Sequence, residues 1–383
     1  MQIIFDDNGL HKALAPLTLT RPVAEIRLGI LTIKESWVLL LSNQIHDFQI
    51  AYETAPYLNV KYAQPSSDEG IRIMGNIKPS SSIVNAVLDL PGNAALYVDN
   101  FLVAVKGSGA QKVSLHDVDL VHIQRPWDIF QQNGNAIALD FDLLTANRNS
   151  APLNDTNRIS APENIFVEPG AQVDHAILNG SSGPIYIGKD ATIMEGSIIR
   201  GPFALCDHAT IKMAAKIYGP TTIGPHCKVG GEVNNCVFQA YSNKGHDGFL
   251  GNSVIGEWCN LGADTNSSNL KNNYGAVKVY SFESEKMEQT DIMFCGVLMG
   301  DHSKTGINTM LNTATTVGVS ANIFGAGFPS KFIASYTWGG ATSNDRFILN
   351  KAFEVAENMM SRRNIELTNA DRSILEHLYD NLA

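Results

Sequence analysis

The sequence is poor in positive charge. It has 28 lysine and arginine residues against 38 aspartate and glutamate residues, which gives its 383 residues a formal net charge of −10 at pH 7. Nucleic acids and anionic membrane surfaces are bound through positively charged patches, so we expect neither as a general partner. Local basic sites are compatible with this balance.

Long apolar runs are also missing. No stretch reaches the roughly 20 apolar residues that a helix needs to span a bilayer, and the N-terminus has no charged-then-apolar signal segment. Cysteine is sparse, odd in number and free of C-x-x-C pairs, so we interpret it as reduced packing residues in a cytoplasmic protein. The five cysteines are Cys206, Cys227, Cys236, Cys259 and Cys295.

A six-residue repeat is the strongest pattern in the sequence. Over residues 187–233 an aliphatic residue returns at every sixth position, and small residues often fall four places later. This period fits neither a helix nor an alternating strand, and it predicts a hexapeptide parallel β-helix whose aliphatic residues point into a narrow core. The aliphatic series is Ile187, Ile193, Ile199, Leu205, Ile211, Ile217, Ile223 and Val229.

The repeats divide the chain into three predicted domains. Residues 1–150 read as mixed α/β, residues 163–330 carry the repeats, and residues 331–383 read as helices that cap the β-helix. A polar, turn-rich stretch at residues 147–162 is the expected boundary. Residues 267–291 do not keep the six-residue period, and such loops commonly display binding groups.

Three charged residues in the first domain are candidate binding groups. Arg21 and Arg27 lie in an otherwise apolar segment, where they could form structural ion pairs or bind phosphate. Asp99 ends an apolar strand, and a carboxylate at such an edge can hold Mg²⁺ beside substrate phosphates. A carboxylate that begins a turn is the common alternative.

His246 is the candidate catalytic residue. It lies in the loop at residues 242–251, close to Gly245 and Gly248, so a ligand could approach it closely. An imidazole can accept a proton near neutral pH. A histidine in a solenoid loop can equally be structural.

The segment around His246 resembles the acetyltransferase half of the GlmU family. These enzymes of UDP-N-acetylglucosamine synthesis join a uridylyltransferase to a glucosamine-1-phosphate N-acetyltransferase. The family pattern A-G-H-x-x-Y-L-G, I-G and N-I-G-A-G is similar to residues 245–251, 255–256 and 260–263. The resemblance implies a nucleotidyltransferase-like α/β domain, a left-handed parallel β-helix and a homotrimer with sites between subunits. It also implies acetyl-CoA and a sugar phosphate as substrates.

The resemblance assigns roles to individual residues. His246 matches the general base, and Asn260 matches a substrate-binding asparagine. Lys216 falls where the family binds the sugar phosphate with an arginine, and Phe249 replaces a tyrosine. The acetyl-CoA site would involve Asn269, Lys271 and Tyr274. A further departure is Asn234 in place of a lysine, and with Phe249 it implies a different sugar or a site without turnover.

The first domain departs further from the family. The glycine-rich loop L-A-A-G-x-G-T-R-M, which cradles nucleotide phosphates, is replaced by Phe5-Asp6-Asp7-Asn8-Gly9. Residues 96–99 resemble the family's Mg²⁺-binding L-Y-G-D, and residues 16–29 resemble a divergent branch from Bacteroidetes-type bacteria. This implies a shortened domain in which Arg21 and Arg27 bind phosphate if it is active, with Mg²⁺ at Asp99.

Three hypotheses follow. The first is an acetyl-CoA-dependent N-acetyltransferase of amino-sugar phosphates, fused to a nucleotidyltransferase-like domain, in sugar-nucleotide synthesis for the cell envelope. The second is a sugar-1-phosphate nucleotidyltransferase whose β-helix serves oligomerisation or regulation. The third is a non-catalytic β-helix scaffold in which His246 is an ordinary loop residue.

Overall fold

The first part of the chain forms an α/β domain. The computed structural model describes residues 1–67, 69–341 and 343–382. The strands of this domain are β1 Gln2–Asp6, β2 Gln49–Glu53, β3 Ile71–Met74, β4 Ile77–Lys78, β5 Ala94–Val98, β6 Phe101–Lys106, β7 Gln111–Leu115 and β8 Val121–His122. Its helices are α1 Ile33–Ser42, α2 Ser81–Leu88 and α3 Asp128–Thr145, with short 3₁₀ turns at Val23–Glu25 and Pro56–Val60.

Six of these strands form one sheet in the order β2-β1-β3-β6-β5-β7. Only β6 runs antiparallel to its neighbours, so β1, β3 and β5 end at the same edge. The consecutive apolar residues Ile3, Ile4 and Phe5 are all buried, as expected for a parallel strand covered on both faces. Helix α1 begins with a capping box between Thr32 and Glu35, which satisfies backbone N–H groups of its first turn.

The second part is a parallel β-helix of short strands. Its first strands are β9 Arg158–Ser160, β10 Ile165–Val167, β11 Gln172–Val173, β12 Ile177–Asn179, β13 Ile185–Ile187, β14 Thr192–Ile193, β15 Ile198–Arg200, β16 Phe203–Leu205, β17 Thr210–Ile211, β18 Lys216–Tyr218, β19 Thr221–Ile223, β20 Lys228–Val229 and β21 Glu232–Phe238. The remaining strands are β22 Asn243–Lys244, β23 Phe249–Ile255, β24 Asn260–Leu261, β25 Asn266–Ser267, β26 Lys278–Ser281, β27 Lys286–Gln289, β28 Val297–Met299, β29 Lys304–Thr305, β30 Met310–Leu311, β31 Thr315–Val317, β32 Asn322–Phe324, β33 Phe332–Ile333, β34 Thr337–Gly340 and β35 Asn344–Arg346.

The six-residue period explains the β-helix core. The first five aliphatic residues of the series pair with the residue three repeats later, as Ile187 does with Leu205 and Ile193 with Ile211. All members of the aliphatic series are buried in one apolar column. The predicted fold class, an α/β domain followed by a hexapeptide parallel β-helix and C-terminal helices, is confirmed. All five cysteines are free and buried.

The α/β domain packs directly on the β-helix along a seam formed by residues 27–31 and α3. The backbone N–H of Arg27 donates to Gln239 Oε1 at 2.6 Å, and Thr222 Oγ1 donates to the carbonyl of Gly29 at 2.9 Å. Apolar residues of both parts share one core, so the two parts are joined by buried apolar surface as well as hydrogen bonds. The β-helix contributes Val237, Val254, Val277, Val279, Cys295, Leu298 and Ala314 to this core.

The chain ends in two helices, α4 Leu349–Ser361 and α5 Asn369–Leu382. Just before α4, residues 344–346 form β35, which pairs antiparallel with β34. Tyr336 donates to the carbonyl of Leu375 at 2.7 Å, and Lys61 pairs with Asp371 at 2.8 Å, so α5 contacts both the β-helix and the α/β domain. None of the helices in the described part of the chain has the length and apolarity of a membrane span.

The domain boundaries stay a prediction. Two strands that lie outside residues 163–330 nevertheless pair with strands of the β-helix. Strand β9 at Arg158–Ser160 pairs with β12, and β34 at Thr337–Gly340 pairs with β32. The non-periodic residues 267–291 contain the hairpin β26–β27. Val277 and Val279 of that segment are buried against the α/β domain, so part of it is used for packing.

Candidate active site on the β-helix

His246 lies at a corner of the β-helix, in the turn between β22 and β23, and it is exposed. The neighbouring glycines allow this geometry for different reasons. A Cβ at Gly245 would meet nothing within 4 Å, so the space beside His246 is open. Gly248 has φ +113°, and a Cβ there would lie 2.3 Å from the carbonyl oxygen of Thr265. Gly248 therefore permits close stacking of this turn on the next coil.

Lys244 holds the His246 turn in place. Its side chain is buried, and its ammonium donates to the carbonyls of Gly230 at 3.1 Å, His246 at 2.7 Å and Asp247 at 3.3 Å. Burial lowers the pKa of Lys244 to about 8, because the charged form loses solvation. These contacts make Lys244 a positioning residue for the turn.

A cavity of about 820 Å³ adjoins His246, and we call it the basic cavity. Its charged lining groups are all cationic: Lys212, Lys228, Lys304, Arg362 and Arg363. No carboxylate of the described residues lines it. Such a surface attracts anions, and phosphate groups above all.

The cations of the basic cavity repel one another. Burial lowers the pKa of Lys228, and Arg363, Lys212 and Arg362 lower it further by charge repulsion. Burial also lowers the pKa of Lys304 to about 8. A bound anion would relieve this repulsion and favour the charged form of each lysine.

Stacked coils bring Asn260 into the basic cavity. Lys228, Asn243, Asn260 and Lys304 are register partners in four successive strands, so they form one row across the sheet. Adjacent strands are about 4.8 Å apart, which places two amides between two lysines. The predicted substrate-binding Asn260 and the predicted base His246 therefore share one cavity.

Lys216, Phe249 and Asn269 lie on the next face, beyond the corner that carries His246. Lys216 and Phe249 are both register partners of Glu232, and the Lys216 ammonium lies 3.5 Å from the Glu232 carboxylate. The Asn269 amide donates to Asn252 at 2.7 Å. None of the three lines the basic cavity.

The remaining candidates on this face are less closely placed. Lys216 and Asn234 line a cavity of about 490 Å³ together with Arg200. Lys271 donates to the carbonyl of Ala276 at 2.6 Å within its own loop, and Tyr274 is 67% exposed. The roles of all these residues stay predictions.

The structure favours the structural alternative for Arg21 and Arg27. Both are buried, Arg21 pairs with Asp301 and with Glu257 at 3.3 Å, and Arg27 Nε donates to the carbonyl of Gln239 at 3.0 Å. Their assignment as phosphate binders of the α/β domain stays a prediction, and their main contacts are ion pairs and hydrogen bonds to the β-helix.

The sheet edge that would bind a nucleotide is occupied by the chain itself. After β1, the Asp7 carboxylate accepts from the N–H of Val23 at 2.8 Å and from the Thr54 hydroxyl at 2.5 Å. Leu14 and Leu17 of the same segment are buried. Residues 7–22 therefore form a packed connection where the family has an open phosphate-binding loop.

Asp99 begins the turn from β5 to β6, with φ +51°, and is exposed. It lies at the carboxyl edge of the sheet, as expected from the sequence. Within the described residues, no group of three or more His, Cys, Asp or Glu side chains could hold a metal ion. The role of Asp99 in holding Mg²⁺ beside substrate phosphates stays a prediction, and we derive no step through a metal.

Residues 2–149 match a family model described as sugar nucleotidyl transferase. The chain is 28% identical over 140 residues to the bifunctional protein GlmU of Trichodesmium erythraeum. The aligned region covers 36% of this chain and 25% of that protein. It is 24% identical over 294 residues to a bifunctional sugar-1-phosphate nucleotidylyltransferase/acetyltransferase of Sulfurisphaera tokodaii, covering 70% of this chain and 66% of that protein.

Other matches are to acetyltransferases. An uncharacterized acetyltransferase, YaiX of Escherichia coli, is 28% identical over 140 residues, which is 36% of this chain and 60% of that protein. The solved structure of the polySia-specific acetyltransferase NeuO aligns at 11% identity, with a TM-score of 0.26, over 55% of this chain and all of that one. The chain spans about a quarter of the length of the GlmU proteins it matches. The family model and the sequence matches to GlmU and to the Sulfurisphaera tokodaii protein confirm the resemblance to GlmU-type hexapeptide-repeat transferases.

Proposed function

We propose that this chain is an enzyme, an acetyl-CoA-dependent N-acetyltransferase that acts on an amino-sugar phosphate of the glucosamine-1-phosphate type. The observation that carries the proposal is the exposed His246 beside a cavity whose charged side chains are all cations. A sugar amine needs a base, and the phosphates of the sugar and of CoA need cations. The similarity to GlmU and to acetyltransferases supports the same reaction class.

His246 acts as the general base in the proposed reaction. Its neutral imidazole accepts a proton from the sugar amine while the nitrogen forms a bond to the thioester carbonyl carbon. The carbon–sulfur bond then breaks, and CoA leaves as its thiol after taking up a proton. Lys244 keeps the turn in position, and Asn260 binds the substrate beside the base.

The direct test is product formation by the purified full-length chain. Acetyl-CoA is incubated with a panel of amino-sugar phosphates, and free CoA is measured. Release of CoA with one of them supports the proposal, whereas none with any of them contradicts it. Pyrophosphate release from UTP and a sugar 1-phosphate would instead indicate a nucleotidyltransferase, which the match of residues 2–149 favours. We expect only weak UTP binding, because residues 7–22 are packed and Arg21 and Arg27 are paired.

Removing a cation from the basic cavity should weaken substrate binding. We expect Arg362→Gln to raise KM for a phosphorylated substrate roughly tenfold, since a charge-assisted hydrogen bond contributes about 1.5–3 kcal/mol. The catalytic constant should change little, because Arg362 contacts the substrate phosphate, whereas His246 accepts the proton during the reaction. Steady-state kinetics measures both. The matched control is Lys189→Gln, which removes an exposed cation outside the cavity. Equal KM values for the two variants would contradict the assignment.

We also propose a homotrimer. Three β-helices can pack around a cyclic axis, which closes the assembly. Large apolar side chains are exposed beside the His246 turn: Met213 is 64% and Ile307 73% exposed. Burying them between subunits would cover the site. Sedimentation equilibrium of the full chain should give three times the monomer mass of 41.6 kDa, and a stable monomer would refute a shared site.

The buried free cysteines and the need for acetyl-CoA fit our proposal of a cytoplasmic location.

A further inference from the structure

A second cavity lies where the α/β domain, the β-helix and the C-terminal helices meet, and we call it the junction cavity. Its volume is about 590 Å³. Its wall includes Arg21 and Tyr62 from the α/β domain, Glu257 and Trp258 from the β-helix, and Leu367 from the segment before α5. Three parts of the chain therefore contribute to one cavity.

The junction cavity has the opposite charge character to the basic cavity. Arg21 is paired with both Asp301 and Glu257, so two carboxylates share one guanidinium, and burial together with Asp301 raises the pKa of Glu257. The other cations of the wall are already paired: Lys61 lies 2.8 Å from Asp371, and Arg27 lies 3.7 Å from Glu35. The Glu257 side chain is 33% exposed, so it is the accessible carboxylate of this group, and a bound cation would favour its ionised form.

Two buried polar atoms in the wall have no hydrogen-bond partner. Arg21 is 4% exposed, and its Nη1 is unpaired, whereas its Nη2 contacts the two carboxylates. His302 is 9% exposed, and its Nδ1 is also unpaired. Buried donors and acceptors without partners are rare and unfavourable, so these atoms indicate a polar occupant.

Aromatic side chains complete the wall. Trp258 and Tyr241 stack with ring centroids 4.2 Å apart, and both line the junction cavity together with Tyr62. A polyol ring can be bound by three kinds of group that are present here: a carboxylate that can accept further hydrogen bonds, an unpaired guanidinium N–H, and aromatic surface. The ring C–H groups pack on aromatic surface, and its hydroxyls use the polar groups.

We propose that the junction cavity is a second binding site, and that it takes a polyhydroxylated primary amine, namely an amino sugar without phosphate. The ligand ammonium pairs with Glu257, and a ring hydroxyl accepts from Arg21 Nη1. A phosphate is excluded by the excess of carboxylates, which separates this ligand from that of the basic cavity.

The junction site is linked to the basic cavity by shared walls. Tyr241 and Trp258 line both cavities. On α4, Met360 faces the junction cavity, whereas its neighbour Met359 faces the basic cavity. A ligand in the junction cavity therefore braces the helix that leads to Arg362. Under the proposed function this would couple the two sites.

Calorimetric titration of the full-length chain tests the site without any activity measurement. The probes are glucosamine, N-acetylglucosamine and glucosamine 1-phosphate. We expect glucosamine to bind roughly tenfold more tightly than N-acetylglucosamine, which has lost the ammonium. Glu257→Gln should weaken glucosamine binding by about the same factor, because the amide keeps the shape but removes the charge. Arg362→Gln, in the basic cavity, should leave glucosamine binding unchanged.

A second variant guards against misfolding of the first. Ala240 is buried and lines the junction cavity, so Ala240→Leu should fill part of it and block glucosamine. Circular dichroism of each variant establishes that it is folded. The proposal is overturned if glucosamine does not bind, if it binds no better than N-acetylglucosamine, or if a folded Glu257→Gln or Ala240→Leu variant binds it as the parent does. CoA release does not enter these outcomes, so the two proposals fail independently.

Discussion

His246→Asn should lower kcat for CoA release by about 10²–10⁴-fold, the usual contribution of a positioned general base. Asparagine is similar in size and fits an exposed turn, but it cannot accept the proton from the sugar amine. KM for acetyl-CoA should remain nearly unchanged, because the base acts mainly in the transition state. Steady-state kinetics with acetyl-CoA and the active amino-sugar phosphate measures both constants.

The control for this variant is His175→Asn. His175 is also an exposed histidine in a turn between β-helix strands, but it lies outside the basic cavity. It should keep parental turnover. Parental turnover in His246→Asn would refute the assignment of the base.

Lys78→Met should destabilise the protein by about 3–5 kcal/mol, the usual cost of removing one partner of a buried ion pair. Lys78 and Asp140 are both fully buried, with their charged atoms 2.7 Å apart. Asp140 also accepts from the N–H groups of Ile30 and Leu31 at 2.8 and 2.9 Å. Without the ammonium this carboxylate stays buried and uncompensated. Urea unfolding at neutral pH gives the free energy of unfolding.

Two further variants make this result interpretable. Lys12→Met removes an exposed lysine and should change the free energy of unfolding by no more than about 0.5 kcal/mol. The double change Lys78→Met with Asp140→Leu should recover part of the loss, because it removes the uncompensated charge as well. A loss below about 1 kcal/mol in the single variant would show that solvent reaches the Asp140 carboxylate.

The β-helix could be predicted from the sequence because its core rule is local. One aliphatic residue per six must point inward, and every member of the series is buried. The His246 turn could be located for a similar reason, since Gly248, two residues from His246, marks a backbone that a side chain would obstruct. In both cases the signal lies within a few residues of the feature that it predicts.

The basic cavity could not be predicted, because its cations come from distant parts of the sequence. Lys212, Lys228 and Lys304 each occupy an ordinary outward position of a repeat, and they come together only through stacking of the coils. Arg362 and Arg363 follow α4, in a helical extension that we expected to act only as a cap. The sole advance signal was the repeat register, which puts Lys228, Asn243, Asn260 and Lys304 in one row.

The partners of Arg21 and Arg27 could not be predicted for the same reason. An arginine in an apolar segment needs an anionic or carbonyl partner, and the sequence near each residue offered phosphate as one solution. The actual partners, Asp301 and Gln239, are more than 200 residues away in the chain and belong to the β-helix. Composition and spacing within the first domain do not contain that information.

The seam between the α/β domain and the β-helix changes how the solenoid should come apart. In an unbraced solenoid each coil touches only its neighbours, so coils can melt one after another from an end. Here Thr222, Gln239 and Asp301 lie on different coils, and all three are tied to residues 20–29. Those coils cannot loosen singly, because each would have to break the same clamp. The coils before about residue 200 are held as well, because Phe166 and Tyr186 pack with Ile30 and Ile137 in one buried cluster. We therefore expect the β-helix to lose its coils together with the α/β domain rather than one at a time from its first strands.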